Sequence, residues 1–567
     1  MIRLAFACAA AMAALAPALA SQTLPALSTH EGTALGERHG ACLADAGDLN
    51  GDAVADFWVG SPFDSTAGFQ SGAVRAISGA GGGTLYTVFG SAAVDHFGWS
   101  IAALGDIDGD GIIDFAAGAP DSDFQTVNGG AVRVVSGANG VARFTLAGSV
   151  PGAAFGYCVC AAGHVNADGI GDLSVGSPFD QSAGIDAGAV DTWSGLNGAQ
   201  LARHFGAAPG DRLGIAVANA GDVNSDGRSD LLAGADQEGS GAGYATVYSG
   251  LNGFPILSLP GASSGELFGC ALAGGSDLDG DGTLDIAVGA SDALHQSSTP
   301  GAVRVFSSAG GALLWSVFGA GNGEAFGSAL ALTPDLDGDG RADLAVAGAV
   351  EAGAIGAAGV VRCFSSRSQR ILHVWRGRSG GDRFGLALCA ASDRDGDGLA
   401  DLLAGAPKDD SPLTDCGAAF VLSTRPAESV HYCSAKLNSQ GCTPLILASG
   451  YASASDESTL ELVVSQVVNN KPGLFLFGKA RASTPFQGGI LCLAPPLRRS
   501  SGVNSAGSPG PSNCSGVLRW IVDASWIQHL SWQPGEQIDA QAWYRDPQHP
   551  DGTASGLSSG VEFSVWL

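Results

Sequence analysis

The chain has 567 residues, of which 87 are glycine and only 14% are charged. A net charge of −28 argues against nucleic acid as a partner, since a phosphate backbone is bound by lysine and arginine. So much glycine, with both methionines inside the first twelve positions, suits short strands and tight turns better than helices.

In chain order, residues 1–20 read as a secretory signal peptide. Arg3 supplies the positive start, Leu4 to Leu15 the apolar segment, and Ala18-Leu19-Ala20 the small residues of a cleavage site. The apolar segment is too short for a permanent anchor, and no later run reaches the length of a membrane span. The expected localisation is secreted or cell-surface. The remaining length is more than one core serves, so at least two domains are expected.

Residues 21–425 repeat. Nine-residue polar loops begin at Asp48, Asp106, His164, Asp222, Asp277, Asp335 and Asp393, a spacing of 58 residues broken once by 55. Oxygen-bearing side chains stand at loop positions 1, 3, 5 and 9. They are Asp48, Asn50, Asp52 and Asp56 in the first; Asp106, Asp108, Asp110 and Asp114 in the second; and Asp222, Asn224, Asp226 and Asp230 in the fourth. The fifth has Asp277, Asp279, Asp281 and Asp285, the sixth Asp335, Asp337, Asp339 and Asp343, and the seventh Asp393, Asp395, Asp397 and Asp401. Glycine at position 6 lets the chain turn so that alternate carboxylates converge, which is the hard oxygen cage that Ca²⁺ requires. About six structural Ca²⁺ sites are expected. The first is weaker because Ala53 replaces the glycine, and the His164 loop is weak or empty because imidazole nitrogen is a poor Ca²⁺ ligand. An EF-hand is excluded: its loop needs glutamate at position 12, where these loops carry alanine or valine, and it needs flanking helices.

Each repeat reads as four short strands separated by Gly, Pro and Asn. In the second these are Phe97 to Leu104, Phe115 to Pro120, Gly130 to Gly137 and Ala142 to Gly148. A four-stranded antiparallel sheet buries both faces only when packed against neighbours around an axis, so the fold class is all-β, a seven-bladed β-propeller. The last repeat lacks a fourth strand and Thr23 to Ser28 precedes the first repeat, so the N-terminal segment is expected to complete blade seven.

Two motifs recur. Phe-Gly appears at Phe97-Gly98, Phe155-Gly156, Phe268-Gly269, Phe326-Gly327 and Phe384-Gly385, with His39-Gly40 and Leu213-Gly214 as variants. Gly-Ala-Pro appears at Gly118-Ala119-Pro120 and Gly405-Ala406-Pro407, with Gly60-Ser61-Pro62 and Gly176-Ser177-Pro178 close to it. This pattern resembles the FG-GAP repeat, which builds the integrin-α-like seven-bladed propeller; the chain looks like a secreted bacterial member. In integrins the face opposite the acidic loops docks the partner subunit and helps bind ligand. The resemblance therefore points to the loops between strands 2 and 3 and between blades, where Phe69, Phe124 and His295 are candidate contacts.

Residues 429–567 lack the period and read as a C-terminal β-sandwich that resembles modules of other exported bacterial proteins. Cys433–Cys442 and Cys492–Cys514 are the disulfides expected there, whereas Cys42, Cys158, Cys160, Cys270 and Cys389 read as small buried apolar residues. Three G-x-S-x-G stretches, around Ser263, Ser379 and Ser558, lack the helix that a nucleophile elbow needs. The expected function is an extracellular binding or adhesion protein for a protein or glycan ligand rather than an enzyme. The alternative is a polymer hydrolase or lyase with its site on the propeller's ligand face.

Overall fold

The computed structural model describes residues 26–566 apart from 239–240, 292–300, 320–323, 350–357, 425–429, 433–434, 451, 454–458, 488, 508–511 and 533–535. The signal-peptide expectation, His295 and Cys433 lie outside the described residues.

Seven consecutive four-stranded antiparallel sheets make up residues 26–422. Blade two shows the pattern: an inner strand Ser100–Gly105, then Asp114–Ala119, Ala131–Val135 and an outer strand Ala142–Ala147. The second strand is buried along its whole length in all seven blades (Asp56–Ser61 and Asp401–Ala406 are the first and last), because both of its faces meet neighbouring blades. The outer strands of blades two and four are mostly exposed, with one buried residue near the end, Leu146 in blade two and Leu259 in blade four.

Each of the seven blade interfaces is filled by its own apolar cluster drawn from two adjacent blades. Between blades one and two, Trp58, Val74 and Val88 pack with Phe97, Ile101 and Phe115. Trp58 is fully buried, and its Nε1 donates to Tyr86 Oη at 3.0 Å.

The two sequence motifs are the joints between blades. Gly98 N–H donates to the Gly118 carbonyl within blade two (2.9 Å), and the Gly98 carbonyl lies where a Cβ on Gly60 of blade one would come within 2.1 Å. The Gly of Gly-Ala-Pro is therefore required by the Phe-Gly of the following blade. Parallel bridges such as Gly72↔Phe97 and Gly130↔Phe155 add a backbone link, and His39↔Gly417 makes the same link between blades one and seven.

Closure is as expected, with a shift in register. Ala26–Glu31 is the outer strand of blade seven, antiparallel to Ala418–Leu422 with Thr29 opposite Phe420. Arg378 ties it down through Glu31 and Thr29 Oγ1, each at 3.0 Å.

Beyond the propeller, two sheets pack face to face as a β-sandwich. One has Leu445–Gly450, Leu460–Val467 and Gly516–Val522; the other is built on Pro472–Gly478, Gln537–Arg545 and Ser555–Trp566. Leu462, Val464, Leu518, Phe475, Phe477, Ile538 and Val561 fill the space between them. A single turn of helix, Ala524–His529, is capped by Asp523 and sets Trp526 against Phe477 and Trp532.

The expected disulfides are corrected. Cys442 pairs with Cys514, with Cα atoms 6.4 Å apart, and Cys492 is disulfide-bonded but not to Cys514. The sheet explains the pairing. Leu445–Gly450 and Gly516–Val522 both lie antiparallel to Leu460–Val467, so they run parallel to each other, and a cysteine sits just before the start of each. Breaking this bond by Cys514→Ser is expected to cost about 3–4 kcal/mol, because it closes a long loop. Calorimetry on the variant should show a sandwich transition lowered while the propeller transition stays in place.

Candidate functional site

The acidic loops join the first and second strands of each blade, so all lie on one face. In blade two the Asp106 carboxylate accepts the N–H groups of Gly109 (2.6 Å), Asp110 (3.2 Å) and Gly111 (2.8 Å), which winds the loop around it. Asp108 accepts from Asp110 N–H, and Asp110 from Ile112 N–H. Positions 4 and 6 are both left-handed, at φ 81° for Gly109 and 88° for Gly111. In blade one Ala53 is forced to φ 71°, a strained value for a residue with a Cβ.

Position 9 has a second task that its place in the motif does not reveal. Asp114 is fully buried; it accepts Ile107 N–H at 3.0 Å and Gly137 N–H at 2.9 Å, tying the loop to the end of the third strand. Asp56 and Asp230 make the same two bonds in blades one and four. So does Asp172 in blade three, where His164 replaces the first aspartate and its Nδ1 meets the Ile170 carbonyl instead.

Four loops bring three carboxylates within 4.8 Å of one another: Asp106, Asp108 and Asp114; Asp277, Asp279 and Asp285; Asp335, Asp337 and Asp339; Asp393, Asp395 and Asp401. These clusters fit divalent-cation sites. In the loops of blades one and four, where Asn50 and Asn224 replace a carboxylate, no such triple forms. Asp110, Asp281 and Asp397 stand slightly apart, each holding the backbone at position 7. In blade two, Arg143 also reaches Asp108 at 2.6 Å, so a cation there competes with a guanidinium.

Burial first, and then repulsion from neighbouring aspartates, pushes the Asp285 carboxyl up to about 6 and that of Asp343 up to about 7. Burial also pushes Asp401 up to about 7, with its loop aspartates adding to the effect. Burial disfavours the charged carboxylate and neighbouring aspartates add like-charge repulsion, which Arg394 partly offsets at Asp401.

The opposite face is built differently. An arc of half-buried aromatic rings crosses blades one to three. Phe63 meets Trp99 (6.4 Å), Trp99 meets Tyr157 (5.7 Å) and Tyr157 meets Phe179 (6.1 Å). Arg38 lies over Phe63 at 4.1 Å, and Arg212 over Phe179 at 5.5 Å. Outside this arc Phe69, Phe124, Val127 and Ile185 are exposed, at 67%, 64%, 67% and 71%. Phe69 and Phe124 were legible as loop residues; the arc was not, since Trp99 and Tyr157 follow Phe-Gly in only two repeats.

A third feature also escaped the motif. Two residues before Phe-Gly, six repeats carry an acid: Glu37, Asp95, Asp211, Glu266, Glu324 and Asp382. Glu37, Asp95, Asp211, Glu266 and Asp382 accept backbone N–H groups of the turn between blades, and four of the six acids pair with a strand residue, Asp211 with Tyr244 and three with arginines. Glu37 meets Arg75 at 2.8 Å and Glu266 meets Arg304 at 2.8 Å, while Glu324 pairs with Arg362. Blade three has Ala153 instead.

Cys42, Cys158, Cys160, Cys270 and Cys389 are half-buried rather than fully enclosed. Burial pushes the Cys42 thiol up to about 12 and Cys158 and Cys389 up to about 11, so they stay protonated. Ser558 is buried within a strand, where its hydroxyl accepts Ala542 N–H and donates to the Ser559 carbonyl, which leaves it no nucleophilic role.

Comparison with known proteins agrees with this architecture. The FG-GAP repeat family matches residues 97–135, 213–248, 268–306 and 326–358. Four FG-GAP repeats are thus matched between residues 97 and 358, and the chain is similar to integrin alpha subunits. It is 35% identical to integrin alpha pat-2 of Caenorhabditis elegans over 232 residues, 36% of this chain and 19% of that protein. It is 33% identical to integrin alpha-V of Gallus gallus over 218 residues, covering 35% and 21%. With integrin alpha-4 of Xenopus laevis it shares 36% over 159 residues, 26% of this chain and 15% of that one. The similarity thus spans about a fifth of these relatives' length or less. Among the described residues, no helix is long and apolar enough to cross a membrane.

Proposed function

We propose that the protein is an exported, Ca²⁺-stabilised binding or adhesion protein, with a signal peptide at residues 1–20, a propeller over 21–425 and a sandwich over 429–567. Its ligand, an extracellular protein or glycan, docks on the propeller face opposite the acidic loops. The observation that carries this reading is the aromatic arc from Phe63 to Phe179 with its flanking arginines and exposed apolar rim. A row of half-buried rings offers large, rigid contact area of the kind that concentrates binding energy. The acidic loops are occupied with their own backbone and with cations, which leaves them little to offer a substrate. Ca²⁺ is the ion that suits them, because every donor is a carboxylate or amide oxygen. Six loops, all but that of His164, supply the set.

The test is a panel of extracellular proteins and glycans immobilised and probed with the full chain, with and without EGTA. Binding that weakens at least tenfold in Trp99→Ala, with Ca²⁺ affinity unchanged, supports the reading. Cleavage of a polymer in the panel, or full binding by the variant, overturns it.

A further inference from the structure

The repeat provides its own control for an inter-blade cavity. In blade two the space between Asp95, Phe97, Ser122 and Arg133 amounts to about 30 Å³. The equivalent space in blade three, bounded by Ala153, Phe155, Asp180, Asp191 and Arg203, is about 240 Å³. Two exchanges open it. Ala153 removes the acid that fills the turn in every other blade, and Asp191 stands where Arg75, Arg133, Arg304 and Arg362 stand in blades one, two, five and six.

The lining has a defined chemistry. Asp180 and Asp191 are nearly inaccessible, with side chains 1% and 2% exposed. Arg203 holds Asp180 at 2.6 Å, but its Nε is 3.6 Å from Asp191 and has no hydrogen-bond partner. Trp193 Nε1 is likewise buried without a partner, and its ring stands edge-on to Phe155 at 6.0 Å. Two buried donors without a partner in one cavity can be met by acceptor oxygens from outside the chain. Two buried carboxylates against one guanidinium repel an anion, so those oxygens must be neutral. A hydroxyl satisfies both demands, since it accepts from Trp193 and Arg203 and donates to Asp191. The Phe155 and Trp193 rings give an apolar wall against which ring C–H groups pack.

From this we infer that the cavity between blades two and three is a binding subsite for a neutral saccharide, of a size to take a single sugar ring, with Asp191, Trp193 and Arg203 as its recognition groups. This rests on the reading of the protein as an extracellular binding protein and places its glycan contact beside the exposed Phe124 rim.

The test uses the full chain and the methyl glycosides of glucose, galactose, mannose, fucose and N-acetylglucosamine, followed by saturation-transfer NMR and tryptophan fluorescence. At least one should bind. The double variant Ala153→Asp/Asp191→Arg rebuilds the blade-two arrangement and should abolish that binding; Asp191→Asn, a milder change, should weaken it at least tenfold with the melting temperature within a few degrees of the parent. No binding by the parent chain, or binding unchanged in a folded Asp191→Asn, overturns the inference. If the sugars fail while the immobilised panel still captures the chain through Trp99, the saccharide subsite falls and the binding-protein reading stands. If both fail, both fall.

Discussion

Chelating divalent cations is expected to lower the melting temperature of the protein by on the order of 10 °C, and re-addition of millimolar Ca²⁺ should restore it. Each site saturated a hundredfold above its dissociation constant stabilises the folded state by about 2.7 kcal/mol, and several such sites act together on one ring. The effect should grow with pH, for a reason that lies in the position-9 aspartates. Without an ion, Asp285, Asp343 and Asp401 titrate near 6 to 7, above their unfolded values. A raised carboxyl stabilises the fold below its unfolded pKa near 4, and that contribution is lost as pH climbs through the folded value. The ion-free protein should therefore lose stability between pH 4 and 7 from these groups, whereas the ion-bound protein, whose carboxylates are held charged, should not. Differential scanning calorimetry at pH 5 and pH 7.5, each with EGTA and with Ca²⁺, checks this. A Ca²⁺ shift no larger at pH 7.5 than at pH 5 would count against the crowded-carboxylate account.

Removing the N-terminal strand should be as damaging. Ala418–Leu422 is buried along its length, with Phe420 inaccessible, and deletion of Ala26–Glu31 bares one edge of it together with the seam between blades seven and one. The truncated chain is expected to melt more than 10 °C lower and to aggregate through the exposed strand. Arg378→Ala, which removes the partly exposed ion pair to Glu31, the bond to Thr29 Oγ1 and the guanidinium over Phe420, should cost much less than the truncation, about 1–2 kcal/mol. A truncation as mild as Arg378→Ala would show that the ring does not depend on this closure.

The blades were legible in the sequence because their period is repeated seven times and each copy carries its own turn residues. The reason for the Phe-Gly and Gly-Ala-Pro motifs was not, because it is a contact between blades: Gly60 is glycine to admit the Gly98 carbonyl of its neighbour. The acidic loops could be read as cation cages from residue type and spacing. The structural half of position 9 could not, since Asp114 binds Gly137, a residue far along the chain. That bond explains why blade three keeps Asp172 after losing its first aspartate. The acid two residues before Phe-Gly was present in the alignment of the repeats with itself, and its absence at Ala153 was the visible trace of the blade-three cavity. Disulfide pairing was beyond the sequence, because Cys442 and Cys514 are brought together by two strands on either side of a third.

The most direct test of the cation-riveted propeller is a count of bound Ca²⁺ on the intact chain by native mass spectrometry. Six ions are expected, falling by one in each of Asp106→Asn, Asp277→Asn, Asp335→Asn and Asp393→Asn, and unchanged in His164→Ala. A chain that binds no Ca²⁺, or whose count is untouched by all four aspartate variants, would contradict it.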